Sequence, residues 1–440
     1  MSQNTEARER VFQELEHYFN AELRPTLDKR EPGKDMLAAN GKVVGWEELK
    51  NLVDSAMDLW LTAGRYSDAF EKRFAQVAGT RYALLVNSGS SANLVAFSAL
   101  TSPLLKEKRL VPGDEFITPA AGFPTTVNPA LQFGLKPVFV DVDLAIHNFT
   151  PEIVEAALTP RTRLVMAAHT LGNPYDSKRI REICDARGIW FVEDCCDALG
   201  ATLHGQPVGT FGHISTYSFY PAHQITMGEG GAVVTNSSVL KKVAESFRDW
   251  GRDCYCPPGK ENSCGKRYDW ELGQLPKGYD HKYIYTHIGY NLKVSDMQAA
   301  CGLAQLDRLD GFVAARRDNF VYLSNALKSR GAMDFLELPG SIEGAQPSWF
   351  GLLMTLKDGA IRRSVLEKLN EAKVGTRLLF AGNLTRQPAY LDVPKSIPSP
   401  LVNTDRVMTS SFYVGVWPGL SEAHLDYIAD SIIAAIKSSL

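Results

Sequence analysis

Between about residues 57 and 310 the chain alternates short apolar runs with stretches of helical period. The runs are Tyr82–Val86, Glu115–Thr118, Pro137–Val142, Arg163–Ala168, Ile189–Val192, Ile214–Phe219 and Gly231–Val234. Several are β-branched or aromatic, and Gly, Pro, Asp or Asn bound them. Runs of this kind predict buried strands of a mostly parallel sheet with helices on its faces. Residues 1–56 have a helical pattern broken near Pro32 and Gly33. Beyond about 310 the pattern is helix with a few strands. The expected architecture is α/β: a helical segment 1–56 packing on the small domain, a large domain 57–310 with a mixed, mostly parallel seven-stranded sheet, and a small C-terminal domain 311–440. A polar stretch rich in Gly, Pro and Cys, at about 253–278, interrupts the alternation and predicts an ordered loop.

Composition agrees with this picture. The 440 residues are 45% hydrophobic and 22% charged, which is ordinary for a folded protein with a large core. A formal net charge of −3 gives no reason to expect nucleic-acid binding, so local basic groups must handle any anionic ligand. No apolar run is long enough for a membrane span. The opening MSQNTEARER lacks the apolar core of a secretory signal. The expectation is a cytoplasmic protein without a membrane partner. In that compartment seven cysteines suggest metal binding, catalysis or burial, not a disulfide framework.

In open α/β sheets, ligands bind beyond the carboxyl ends of the strands, and four groups of residues follow the apolar runs. Asn87-Ser88-Gly89-Ser90-Ser91-Ala92-Asn93 precedes a helical stretch, where free N–H groups suit a phosphate; taken alone, the stretch favours a Ser-rich helix cap. Glu193-Asp194-Cys195-Cys196-Asp197 brings a carboxylate that can face a cationic ring nitrogen or cap a helix. Ser218-Phe219-Tyr220-Pro221-Ala222-His223 adds a phosphate donor and an imidazole, and Gly228-Glu229-Gly230-Gly231 turns the chain into the next strand. Gly289-Tyr290-Asn291-Leu292 offers an amide before the helical pattern Ser295–Leu309. The dinucleotide and P-loop fingerprints are absent.

In this order and spacing the motifs resemble the sugar aminotransferase/dehydratase branch of fold-type I PLP enzymes, over roughly residues 40–440. The resemblance implies that Gly89, Ser90 and Ser218 contact the cofactor phosphate. It implies that Phe123, in Ala121-Gly122-Phe123-Pro124-Thr125-Thr126, stacks on the pyridine ring and that Asp194 pairs with the ring nitrogen. Asn291 would reach the phosphate of the other subunit, so a homodimer with shared active sites is expected. The departure is His223, where aminotransferases of this branch carry lysine. Without an amine the cofactor cannot be anchored covalently, and it is expected as noncovalent pyridoxamine phosphate (PMP). A subset of the family looks like this: sugar 3-dehydratases that remove the C3 hydroxyl of nucleotide-linked 4-keto-6-deoxyhexoses. His223 is then the general base, since imidazole titrates near neutrality. By the same resemblance Asp197 and Tyr220 flank the reacting centre.

Cys196, Cys254, Cys256 and Cys264 give C-x57-C-x-C-x7-C. Four thiolates suit a [2Fe–2S] cluster or structural zinc, and unligated thiols are the third reading. The spacing, with Cys254-Tyr255-Cys256 following Arg248-Asp249-Trp250-Gly251-Arg252-Asp253, also resembles the iron–sulfur 3-dehydratases of CDP-4-keto-6-deoxyglucose, which selects the cluster. Electrons would come from a separate NADH-dependent flavin/iron–sulfur reductase. Cys184 and Cys301, in helical patterns, are expected to serve packing. For the nucleotide diphosphate of the substrate, Lys282 and Arg377 are candidates, together with Asn383 and Arg386, at the family's sugar-nucleotide contacts. The resemblance favours CDP, with TDP as the alternative. The rivals are a sugar aminotransferase, a cluster-free dehydratase, and a non-catalytic metal sensor on the same scaffold.

Overall fold

The structure is a computed structural model that describes residues 5–27, 30–254, 256 and 262–440. Residues 255 and 257–261 of the expected cysteine loop, and 1–4 of the N-terminal segment, lie outside the described residues. All seven apolar runs form strands of one sheet: β1 (Tyr82–Val86), β2 (Glu115–Pro119), β3 (Lys136–Val140), β4 (Thr162–Ala168), β5 (Trp190–Asp194), β6 (Ile214–Ser218) and β7 (Gly231–Thr235). The order is β1-β7-β6-β5-β4-β2-β3. β7 pairs antiparallel with both β1 and β6, and the other neighbours are parallel. The strands are buried almost throughout because helices cover both faces. One layer of the core joins Val86, Phe97, Phe116 and Phe139. The opposite face is filled by Phe70, Phe74, Tyr217 and Phe219 near β1 and β6, and by Phe149, Tyr175 and Phe191 near β4 and β5.

The small domain has its own core, built on strands Gly351–Leu356 and Ser411–Gly415 and helix Glu422–Lys437. The expected boundary at about 310 falls within one continuous helix, Leu309–Ser329. Leu309, Phe312 and Val313 of that helix pack in the large-domain core, whereas Phe320, Leu323 and Leu327 pack in the small-domain core. The described N-terminal residues serve two regions. Arg8 of helix Thr5–Tyr18 pairs with Asp54 and Asp58, at the end of helix Trp46–Ala56. Among the described residues a second piece joins the small domain: Leu37 bridges to Val374, and Trp417 Nε1 donates to the Ala38 carbonyl at 3.0 Å. The reason is polarity. Helix Thr5–Tyr18 buries none of its described side chains, while Leu37 is 1% exposed. No helix among the described residues is long and apolar enough to cross a membrane.

Candidate active site

A cavity of about 440 Å³ opens where β1, β5 and β6 end. Gly89, Ser90, Phe123, Asp194, Cys196, Asp197, Ser218, Tyr220, His223 and Arg377 all line it. Ser88 caps helix Gly89–Ala99 by accepting from Ser91 N–H at 3.0 Å, and the first N–H groups of the helix are left for a ligand. Gly89 is needed for close approach, because a Cβ there would stand 2.5 Å from Ser218 Cβ and 3.0 Å from Cys196 Sγ. Asp194 ends β5 with its carboxylate fixed by three donors: Asn93 Nδ2 (2.8 Å), Thr126 Oγ1 (2.7 Å) and Cys196 N–H (3.1 Å). Asn93 is oriented in turn by Thr216 Oγ1, which donates to its Oδ1 at 2.7 Å. Phe123, 46% exposed, stands at the mouth as the residue before helix Pro124–Gln132. A phosphate cradle, a braced carboxylate and an open aromatic face fit a pyridoxal-type cofactor.

His223 sits on a tight turn, its N–H donating to the Tyr220 carbonyl at 3.0 Å. Its Nδ1 faces Asp197 Oδ1 at 3.4 Å, which leaves Nε2 as the other ring nitrogen. Its ring centroid is 5.2 Å from that of Phe350. Burial, and then the Arg316 cation, hold the imidazole down to about 3. Burial and the Asp194 carboxylate push Asp197 up to about 7. At neutral pH the imidazole is therefore an unprotonated acceptor beside a carboxyl group that titrates there. Lysine is absent from the cavity lining among the described residues.

Sequence reasoning missed Arg316, which is 1% exposed. It donates to the carbonyls of His223 (3.0 Å), Trp349 (3.3 Å) and Phe350 (3.4 Å). Burial lowers it to about 10. It ties the His223 turn to the entry of the small-domain strand. Gly172 makes the next crossing. Its φ is +81°, a Cβ would stand 1.9 Å from the Ser348 carbonyl oxygen, and its own carbonyl accepts from Ser348 N–H at 3.0 Å.

The other expected residues lie elsewhere. Cys254, Cys256 and Cys264 line a second, small cavity with Arg267, His281 and Lys282. The Ser263 side chain lowers the Cys256 thiol to about 7. Cys196 does not join them: it faces the main cavity, and burial together with Asp194 pushes its thiol up. Cys195 points the other way, into the core beside His169 and Glu193. Cys184 and Cys301 are buried, as expected of packing residues. Asn291 bridges to Asp249 and accepts from Lys293 Nζ at 2.6 Å, outside the main cavity. Asn383 and Arg386 are not brought to the cavity either. Both reach the Asp405 carboxylate, which takes Asn383 Nδ2 at 2.8 Å and Arg386 Nε at 2.7 Å, on a separate surface depression.

Fold and cradle together define an enzyme of the PLP-dependent aminotransferase fold. The chain belongs to the DegT/DnrJ/EryC1/StrS aminotransferase family, whose pattern it matches over residues 44–433. It is 55% identical to the lipopolysaccharide biosynthesis protein RfbH of Salmonella typhimurium, over 96% of each chain. It is 47% identical to a dTDP-4-dehydro-2,6-dideoxy-D-glucose 3-dehydratase of Saccharopolyspora spinosa, over 99% of this chain and 93% of that one. Among solved structures, the Escherichia coli GDP-4-keto-6-deoxy-D-mannose 3-dehydratase with bound hydrated PLP superposes with a TM-score of 0.79. It is 27% identical, with 90% of this chain and 100% of that one covered. The family is one of sugar-nucleotide dehydratases and aminotransferases that use PLP or PMP.

Proposed function

We propose that this protein is a sugar-nucleotide 3-dehydratase that removes the C3 hydroxyl of a nucleotide-linked 4-keto-6-deoxyhexose, with noncovalently held PMP and a [2Fe–2S] cluster. The favoured substrate is CDP-4-keto-6-deoxyglucose, and the TDP-linked sugar is the alternative. The observation that carries the reading is His223: among the described residues the cavity presents an imidazole and no lysine amine. The dehydratase names of the relatives from Saccharopolyspora spinosa and Escherichia coli support it.

When bound, PMP supplies an amine that condenses with the sugar ketone and a ring that accepts electrons. Gly89 and Ser90 N–H groups and the Ser218 hydroxyl would hold its phosphate, Phe123 would cover the ring, and Asp194 would pair with the ring nitrogen. In a homodimer Asn291 of the partner subunit would complete the phosphate site. His223 removes the proton whose loss drives C3–O cleavage. Asp197 holds the imidazole from its Nδ1 side and exchanges a proton with it. Tyr220, half-exposed at the rim, borders the reacting carbon. Arg377 brings positive charge to the cavity for the diphosphate, and Lys282 is the remaining cationic candidate.

Cys196, Cys254, Cys256 and Cys264 would hold the cluster, which would supply one-electron chemistry, the electrons coming from a separate NADH-dependent flavin/iron–sulfur reductase. The balance is loss of the C3 hydroxyl as water, with two electrons and two protons taken up.

The test is anaerobic turnover with PMP, a reductase and either CDP- or TDP-4-keto-6-deoxyglucose, for wild type and His223→Asn. General-base loss costs roughly 10²–10⁴-fold. The variant should fall by that factor while still binding PMP. Undiminished dehydration by His223→Asn sinks the assignment. A cluster-free dehydratase is the second reading, favoured by the separation of Cys196 from the other three thiols. Iron and sulfide content decides between the two.

A further inference from the structure

Resting on the four-thiolate reading, we infer that the cluster site is assembled from two copies of this chain: Cys196 of one, with Cys254, Cys256 and Cys264 of the other.

Neither half is complete within one chain. Cys196 is the sole thiol lining the main cavity among the described residues, and it sits against Gly89 and Ser218. The other three line their own small cavity and lack a fourth thiol there. The halves are held by different parts of the fold. Cys196 stands against Gly89, the first residue of helix Gly89–Ala99. The three-thiol pocket is anchored by side-chain contacts of its own. Asp253, next to Cys254, takes His281 Nε2 at 2.9 Å and Thr286 Oγ1 at 3.5 Å. The neighbouring His287 is clamped between Ser102 Oγ (2.7 Å) and Ser246 Oγ (2.8 Å). No thiol of the three-thiol pocket lines the main cavity, and Cys196 does not line theirs.

The surface beside the three-thiol pocket has the character of an interface. Tyr283 and Tyr285 are 54% and 53% exposed, and Ile288 is 95% exposed. Large apolar side chains exposed along one short stretch of chain suit burial against a second copy. A two-fold interface sets one region against a different one and repeats the contact reciprocally. One such contact, bringing the three-thiol pocket of each copy to the main cavity of the other, closes both sites at once. Arg267 and Lys282 then place positive charge beside an anionic centre.

The test needs no turnover. Two differently tagged chains, Cys196→Ser and Cys254→Ser, are co-expressed, and the heterodimer is isolated through both tags. It is reconstituted anaerobically with iron and sulfide alongside wild type and both homodimers. Iron, acid-labile sulfide and the visible spectrum are measured, with PMP binding as the check on folding. The expected heterodimer holds one cluster, half the wild-type content, because one of its two sites keeps all four cysteines, and both homodimers are empty. A filled wild type with an empty heterodimer overturns assembly across two copies. A Cys196→Ser homodimer with full content overturns the role of Cys196. An empty wild type instead sinks the four-thiolate reading itself.

Discussion

The cavity around His223 and the pocket around Cys254, Cys256 and Cys264 are held in place by opposite means. The first stands on strand ends and helix starts. Asp194 closes β5, Ser218 closes β6 and Gly89 opens a helix, and each is braced by buried groups with few alternative positions. The second stands on irregular chain, anchored by side-chain contacts such as His281 with Asp253 and Arg267 with Asp280. The ionisation of the thiols differs in the same sense: Cys196 is pushed up by burial, whereas Cys256 is drawn down by a hydrogen-bonded hydroxyl. A braced cavity can fix the geometry of a reacting atom. A loop-borne pocket can be added to the scaffold or left out while the reaction cavity stays as it is.

Substitutions separate the two regions. The largest effect is expected at Gly172→Ala, where the added methyl meets the Ser348 carbonyl at 1.9 Å in a left-handed backbone. Thermal unfolding should show a loss of about 3 kcal/mol, the upper end for overpacking. Arg316→Met comes next. It strands the carbonyls of His223, Trp349 and Phe350, at a cost of about 2 kcal/mol. It also removes a cation that lowers both His223 and Asp197, so the inflection of the pH–rate profile should move to higher pH.

Asp197→Asn is smaller. In wild type, as pH rises through about 7, Asp197 becomes anionic 3.4 Å from His223 Nδ1 and makes the imidazole a stronger base, so the rate should climb. In the variant that step should vanish and the plateau should fall roughly tenfold, about 1.4 kcal/mol of barrier. A retained inflection assigns it to another group. Smallest of all is Cys256→Ser, expected to abolish cluster uptake yet change unfolding by no more than about 0.5 kcal/mol. A large drop in Tm there would break the contrast between the regions.

The sheet was legible because its signal is local. Runs such as Ala83-Leu84-Leu85-Val86 are buried on both faces, and contiguous sequence is enough to mark them. The cavity lining was legible as far as it follows strand ends. Long-range partnerships were not. Asn93 braces Asp194 and accepts from Thr216 across 101 and 123 residues of chain, and nothing near Asn93 signals either partner. Arg316, next to Arg317 in a charged helix, reads as solvated until the fold buries it. The domain boundary was hidden because helix Leu309–Ser329 changes the core it serves without any break in its periodicity. Asn383 and Arg386 lie away from the cavity of their own chain because Asp405, about twenty residues further on, takes both side chains.

That helix has a mechanical consequence. Its 21 residues make a rod roughly 32 Å long, seated at one end in the large-domain core and at the other in the small-domain core. Arg316 rides on it about a third of the way along and holds the backbone of His223. Arg377, which lines the same cavity, belongs to the small-domain edge through its pairing with Tyr413. A tilt of the small domain would turn the rod as a crankshaft and move both sides of the cavity together.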